Sequence, residues 1–111
     1  ELNKTLKKEI KANDCSRAIL IGHNPTFDLN FMQAAYKRVE MKPLFHQFTT
    51  LDTATLGALC YGQTVLAKIM KEANIAFNVQ EARSAIYDAR KTAELFCKIY
   101  KLWESTKTKI N

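Results

Sequence analysis

Residues 18–28 read Ala18-Ile19-Leu20-Ile21-Gly22-His23-Asn24-Pro25-Thr26-Phe27-Asp28, and they predict a strand followed directly by a helix. The run from Ala18 to Ile21 is short, uninterrupted and rich in β-branched residues, which is typical of a strand buried on both faces in the middle of an α/β sheet. Asn24 can cap a helix, and Pro25 suits the first helical position. The segment therefore predicts an α/β fold.

Helices are predicted on both sides of this segment. Upstream, Leu2, Leu6 and Ile10 recur at helical spacing before a stop at Asn13-Asp14. Downstream, the same reasoning predicts the following elements: a helix from Pro25 to a break at Lys42-Pro43, an extended connector over 44–51, a helix over 52–60, a helix from 65 to about 74, a loop over 78–82, and a last helix from 84 to about 103 with a polar tail over 104–111.

Composition indicates one domain, or part of one, with an affinity for negative charge. The chain has 111 residues and a formal net charge of +6 from 17 basic and 11 acidic residues, which favours nucleic acid as a partner. Much of the excess is lysine near the two ends, where solvated helix faces are the alternative explanation. The chain lacks an initiating Met and opens within a helical pattern, so we expect a fragment.

Cysteine usage and hydropathy bear on the cellular compartment. The three cysteines, Cys15, Cys60 and Cys97, are far apart and lack the spacing of a zinc site or a disulfide framework, which favours a reducing cytoplasm. No apolar run is long enough to span a membrane, and no signal-peptide pattern is found. We expect a cytoplasmic protein without a membrane partner.

Two aspartates occupy unusual positions at the starts of helices. Asp28 heads the helical row Met32, Ala35 and Val39, and Asp88 heads the row Thr92, Leu95, Ile99 and Leu102. A carboxylate on a buried face costs several kcal/mol unless it is paired or bound to a cation. A helix cap or a favourable interaction with the helix dipole is the structural alternative for each. The pair favours a shared site for Mg²⁺ or Mn²⁺, because hard oxygen ligands suit these ions.

The order and spacing of several segments resemble the ribonuclease T family of DEDD-type exonucleases. Gly22-His23-Asn24-Pro25-Thr26-Phe27-Asp28 is similar to the second exonuclease motif, and Arg83-Ser84-Ala85-Ile86-Tyr87-Asp88 occupies the third. Further resemblance lies in Asp52-Thr53-Ala54-Thr55-Leu56, in Tyr61-Gly62-Gln63-Thr64-Val65-Leu66-Ala67 and in Lys91-Thr92-Ala93-Glu94-Leu95-Phe96-Cys97. The resemblance runs from about Leu6 to Trp103.

The resemblance implies a fold and an activity. The fold is ribonuclease H-like, an α/β domain with a mixed central sheet flanked by helices, of which residues 1–111 are the mostly helical C-terminal part. The activity is 3′→5′ exoribonuclease trimming of tRNA and other stable RNAs such as rRNA precursors, with two Mg²⁺ ions, by a bacterial, cytoplasmic homodimer. Single-stranded DNA is a second substrate class to be considered.

The resemblance also implies roles for individual residues. Asp28 and Asp88 match metal ligands, and Asp52 matches a further acidic residue near the active site, although capping of its own helix explains it equally. Phe27 and Phe48 match aromatic residues that stack on terminal bases, with a core position as the alternative for Phe27. Lys11, Arg17 and Lys42 match basic residues that bind the RNA backbone. A solvated surface charge is the alternative for each.

Two departures from the family pattern concern catalysis. The first acidic motif, Asp-x-Glu on an N-terminal strand, is absent from this sequence. Arg83 stands where the family pattern places the histidine that deprotonates water, and arginine offers donors only. His23 and His46 are expected to be structural or solvated, not substitutes for that base. We therefore expect an impaired enzyme.

Two alternative functions remain open. One is a pseudo-nuclease that binds RNA without cleaving it. The other is a DNA-proofreading exonuclease of the same superfamily, which shares the second and third motifs; the segment Tyr61 to Ala67 and the aromatic connector favour ribonuclease T.

Overall fold

The computed structural model of the chain describes residues 2–110, without the side chains of residues 83 and 108–110. Its elements are α1 (Leu2–Ala12), β1 (Ala18–Gly22), α2 (Thr26–Arg38), β2 (Phe45–Asp52), α3 (Thr53–Tyr61), α4 (Leu66–Glu72), a 3₁₀ turn (Glu81–Arg83) and α5 (Ala85–Ile110). They divide into two compact units, the first up to Leu51 and the second from Asp52. The α/β class is confirmed.

The first unit contains a sheet of two parallel strands, β1 and β2. The N–H of Ala18 donates to the carbonyl of Leu44 at 3.0 Å, so the strands are paired from their starts. The larger mixed sheet implied by the family resemblance is not formed by the residues that the structure describes. The expected connector over 44–51 is thus largely a strand, because its backbone pairs with β1.

The burial predicted for β1 is wrong for this chain. Ile19 is 44% exposed and Ile21 is 37% exposed, whereas Leu20 is half-buried. Successive side chains of a strand point to opposite faces. Within the first unit, therefore, one face of the two-stranded sheet is left open.

The helix α2 packs through one stripe. Leu29 and Tyr36 are buried, and the Tyr36 hydroxyl donates to Oδ1 of Asn3 at 2.5 Å, which ties α2 to α1. The predicted capping role of Asn24 is wrong: Pro25 is the N-cap and makes no side-chain cap bond, while Asn24 adopts a left-handed conformation with φ 55°. The left-handed backbone of Asn24 differs from the extended backbone that is usual for a capping residue.

The second unit has its core between α4 and α5. Its buried side chains are Ile69, Met70, Ala73, Ile75, Leu95 and Ile99. The predicted starts of α3 and α5 are confirmed within one residue, but α5 continues through the expected polar tail to Ile110. Among residues 2–110, no helix is both long enough and apolar enough to cross a membrane.

Candidate functional site

Asp28 lies in the first turn of α2, close to the end of β1. A Cβ added to Gly22 would stand 3.0 Å from Cβ of Pro25 and 3.6 Å from Oδ2 of Asp28. Glycine at position 22 therefore lets the strand end pass close to the helix start and leaves the carboxylate accessible. Asp28 is exposed, so the burial expected for it is not seen.

The row that Asp28 heads explains this exposure. Met32 and Ala35 are half-buried and Val39 is exposed, and all three line an open apolar groove of the first unit. The core stripe of α2 instead contains Leu29 and Tyr36. An exposed carboxylate pays little desolvation, so for Asp28 the argument for a bound cation depends on the family motif and not on burial.

Asp88 lies in the first turn of α5, and its carboxylate is partly buried, as its place on the apolar row predicted. Its Oδ1 atom is buried and has no hydrogen-bond partner among the residues that the structure describes. The helix cap proposed as the structural alternative is made by another residue, because the N–H of Tyr87 donates to Oγ of Ser84 at 3.3 Å. A buried, unpaired carboxylate oxygen is costly and is suited to a hard cation.

The row below Asp88 is buried as expected over two turns. Thr92, Leu95 and Ile99 are buried, whereas Leu102 is exposed. The carboxylate thus stands at one end of the core-facing stripe of α5. Because Asp88 lies in the first turn of α5, its negative charge is also stabilised by the helix dipole.

Both aspartates carry the oxygen atoms that a hard cation prefers as ligands. Asp28 belongs to the first unit and Asp88 to the second. No group of three or more His, Cys, Asp or Glu side chains that could hold a metal is found among residues 2–110. The donor chemistry of both aspartates fits Mg²⁺ or Mn²⁺, but the set of about four carboxylates expected for a pair of ions is not assembled by these residues.

Asp52 has the structural role that its position suggested. Its side chain accepts a hydrogen bond from the N–H of Ala54 at 2.9 Å, and it is the N-cap of α3. This bond satisfies one of the free amides of the first turn. It accounts for an aspartate here without reference to catalysis.

Two phenylalanines of the first unit project into solvent. Phe27 is 78% exposed and Phe48 is 86% exposed, so the alternative of a core position for Phe27 is wrong. Exposed aromatic rings suit stacking on nucleic-acid bases. The basic residues Lys11, Arg17 and Lys42 are also exposed in this unit.

Side chains hold the backbone next to Phe48. Nε2 of Gln33, on α2, donates to the carbonyl of Gln47 at 2.9 Å. Nδ1 of His46 accepts from the N–H of Phe48 at 3.2 Å and from that of Thr49 at 3.0 Å. Neither Gln33 nor His46 was singled out as functional from the sequence, which contains no signal for such local bonds.

Arg83 and His23 are the other two positions considered in the sequence. The backbone of Arg83 ends the 3₁₀ turn before α5, and its side chain lies outside the described residues. His23 is half-buried in the turn after β1, in keeping with a structural role.

Comparisons with known proteins identify relatives along nearly the whole chain. The sequence is 55% identical over 106 residues to a ribonuclease T of Vibrio parahaemolyticus, 53% identical over 106 residues to that of Vibrio cholerae and 53% identical over 105 residues to that of Hahella chejuensis. The aligned regions cover 95%, 95% and 94% of this chain and 50%, 47% and 48% of the relatives. Over 95% of its length the chain is homologous to ribonuclease T. It spans about half the length of the curated relatives it matches, and no family model matches it.

This homology confirms the resemblance to ribonuclease T that was drawn from the motifs. Asp28, Asp88 and Phe27 fall within the segments that carried that resemblance, and Phe48 lies between two of them. Their individual roles in a ribonuclease T site remain predictions.

Proposed function

We propose that the protein containing this chain is a 3′→5′ exoribonuclease of the ribonuclease T type, which trims the 3′ ends of tRNA and rRNA precursors. The observation that carries the proposal is identity of 53–55% with ribonuclease T proteins over 95% of the chain. The unpaired buried oxygen of Asp88 supports it, because a metal-dependent nuclease needs such a ligand.

Asp28 and Asp88 are the proposed ligands of Mg²⁺, with Mn²⁺ as a substitute. When bound in pairs, such ions activate water for attack on the phosphodiester and stabilise the leaving oxygen. The residues of this chain contribute carboxylate charge at two helix starts. Asp52 contributes mainly by holding α3, through its bond to the N–H of Ala54.

Substrate binding is assigned to the exposed aromatic and basic residues of the first unit. Phe27 and Phe48 stack on the terminal bases, and each stacked base contributes about 1–3 kcal/mol. Lys11, Arg17 and Lys42 contact the RNA backbone, so binding weakens as salt rises. The assembly proposed is a homodimer in the bacterial cytoplasm, with single-stranded DNA as a second substrate class.

A second candidate function rests on Arg83. The family pattern has a general-base histidine at this position, and arginine offers hydrogen-bond donors only, so it does not accept a proton. Loss of a general base costs about 10²- to 10⁴-fold in rate. The second candidate is therefore a pseudo-nuclease that binds RNA 3′ ends and cleaves them slowly or not at all. A DNA-proofreading role is less favoured, since the relatives are ribonucleases T.

The test is Mg²⁺-dependent digestion of a labelled RNA with a free 3′ end by the full-length protein, with Arg83 and with Arg83→His. Activity of both forms supports the exonuclease; activity of the histidine form alone supports the pseudo-nuclease. Release of no nucleotides by either form would reject the enzyme proposal. Asp88→Asn is expected to abolish digestion, and Asp14→Asn, in an exposed turn, is the matched control.

A further inference from the structure

The peptide unit between Gln47 and Phe48 is bonded on both of its polar sides to side chains. Its carbonyl accepts from Nε2 of Gln33 at 2.9 Å, and its N–H donates to Nδ1 of His46 at 3.2 Å. With both groups held, rotation of the peptide plane would break a hydrogen bond in either direction. The orientation of the Phe48 backbone is therefore fixed, although the residue is among the most exposed of the first unit.

His46 also contacts the Phe48 side chain. The two rings meet edge to face, with centroids 6.4 Å apart and planes inclined at 70°. This geometry lies within the range favoured by aromatic pairs. His46 therefore restrains the ring of Phe48 as well as its backbone, while the outer face of the ring stays open to solvent.

The hydrogen bonds to His46 require a side-chain acceptor that can reach the backbone amides of Phe48 and Thr49. Nδ1 accepts from the amides two and three residues ahead, at 3.2 and 3.0 Å. The same pattern occurs in the second unit, where Oδ1 of Asn78 accepts from the amides of Gln80 at 2.9 Å and Glu81 at 3.4 Å. An asparagine side chain is thus long enough to make this pair of bonds.

We propose that His46 and Gln33 are positioning residues that hold Phe48 ready to stack on the 3′-terminal base of the RNA. The inference rests on the proposed function, in which Phe48 is a stacking residue. A solvent-exposed ring that is already ordered loses less conformational freedom on binding. Gln33 is part of α2, the helix that also presents Phe27 and Asp28, so its bond ties β2 at Phe48 to the helix that bears these two residues.

The test measures binding of a short single-stranded RNA carrying 2-aminopurine at its 3′ end to the full-length protein, with EDTA present to prevent cleavage. Stacking on an aromatic ring quenches 2-aminopurine fluorescence. His46→Leu is expected to weaken affinity by about 2- to 10-fold and to reduce the quench, by analogy with the cost of ordering one side chain. His46→Asn retains the acceptor but lacks the ring, so it is expected to lose clearly less affinity than His46→Leu; Gln33→Leu should resemble His46→Leu.

A double-mutant cycle separates this inference from the proposed function. If His46 acts through Phe48, Phe48→Ala weakens affinity by about 5- to 100-fold, and adding His46→Leu has no further effect. No loss from Phe48→Ala would overturn both the stacking role and the inference. Loss from Phe48→Ala combined with full affinity in His46→Leu, or with equal losses in His46→Asn and His46→Leu, would overturn the inference and leave the stacking role intact.

Discussion

The backbone N–H of Asn78 donates a hydrogen bond to the hydroxyl of Tyr87 at 2.7 Å. Tyr87 directly precedes Asp88 in the first turn of α5, and its ring also contacts Phe77 with centroids 5.6 Å apart. The bond therefore fastens the loop that leads to Arg83 onto the helix start that bears the proposed metal ligand. It links the third exonuclease motif to the packing of the second unit.

Tyr87→Phe keeps this ring contact and removes the hydrogen bond. We expect the free energy of unfolding to fall by about 0.5–1.5 kcal/mol, and the amide of Asn78 to exchange faster. Denaturant unfolding and hydrogen exchange measure the two effects. Tyr100→Phe, an exposed position on the same helix, is the matched control; an equal change in both variants would contradict the role of the Asn78 bond.

Variants of Asp52 distinguish a structural role of this residue from a catalytic one. Asp52→Ala removes the cap of α3 and should lower the free energy of unfolding by about 0.5–2 kcal/mol. Asp52→Asn keeps an acceptor and should keep the stability. If Asp52→Asn is stable but loses most of the exonuclease activity, the carboxylate has a role beyond the cap. Equal activity in Asp52→Asn and wild type would confine Asp52 to α3.

Gly57 is required by the packing of α3 on α4. A Cβ at this position would collide with Cδ1 of Ile69, would lie 2.8 Å from its Cγ1 and would lie 3.0 Å from the carbonyl oxygen of Gln63. Ile69 is fully buried, so it has little room to move. Gly57→Ala should therefore cost about 1–3 kcal/mol.

Ile69→Val removes the atom that collides with the new Cβ. The double variant Gly57→Ala, Ile69→Val should be more stable than the sum of the two single changes predicts, as shown by thermal or denaturant unfolding. Gly62→Ala is a useful contrast, because its cost arises from a φ of 70° and no neighbouring atom lies within 4 Å. Rescue of Gly62→Ala by Ile69→Val would contradict a steric cause at Gly57.

Local signals in the sequence were enough to predict most helices and the family. The cap at Asp52, the apolar row of α5 and the motif around Asp28 each depend on residues within a few positions of one another, so the pattern can be read directly. The strand β2 was expected only as an extended connector, since its pairing with β1 depends on residues distant in the sequence. The exposure of Ile19 and Ile21 has a similar origin: what covers a strand is not encoded in the strand itself.

The candidate site was predictable only as far as motifs reach. Asp28 and Asp88 were found from their positions at helix starts, whereas Phe27 and Phe48 were found by resemblance. The solvent exposure of both rings agrees with the proposed stacking. The bonds of His46 to its own downstream amides depend on the backbone angles near Gln47, which no short motif specifies. The burial expected for Asp28 failed because the core stripe of α2 lies along Leu29 and Tyr36.

Tyr61 makes the stability of the second unit depend on pH. Its hydroxyl is buried without a hydrogen-bond partner among the described residues. Burial, and next the nearby Cys60 thiolate, raise the pKa of the Tyr61 phenol above its usual value of 10.0. The folded state thus resists ionisation of this group more than the unfolded state does. The associated stability is fully present below the unfolded pKa and is lost as the pH rises through the higher folded value.

Tyr61→Phe should remove this pH dependence. We expect the free energy of unfolding of the wild type, relative to Tyr61→Phe, to decline as the pH rises above about 10. At neutral pH the variant should be as stable as the wild type or slightly more stable, because an unsatisfied buried hydroxyl is removed. Denaturant unfolding over a series of pH values measures both effects, with Tyr100→Phe as the control for loss of an exposed phenol. A wild-type curve parallel to that of Tyr61→Phe would show that the phenol ionises equally easily in the folded and unfolded chain.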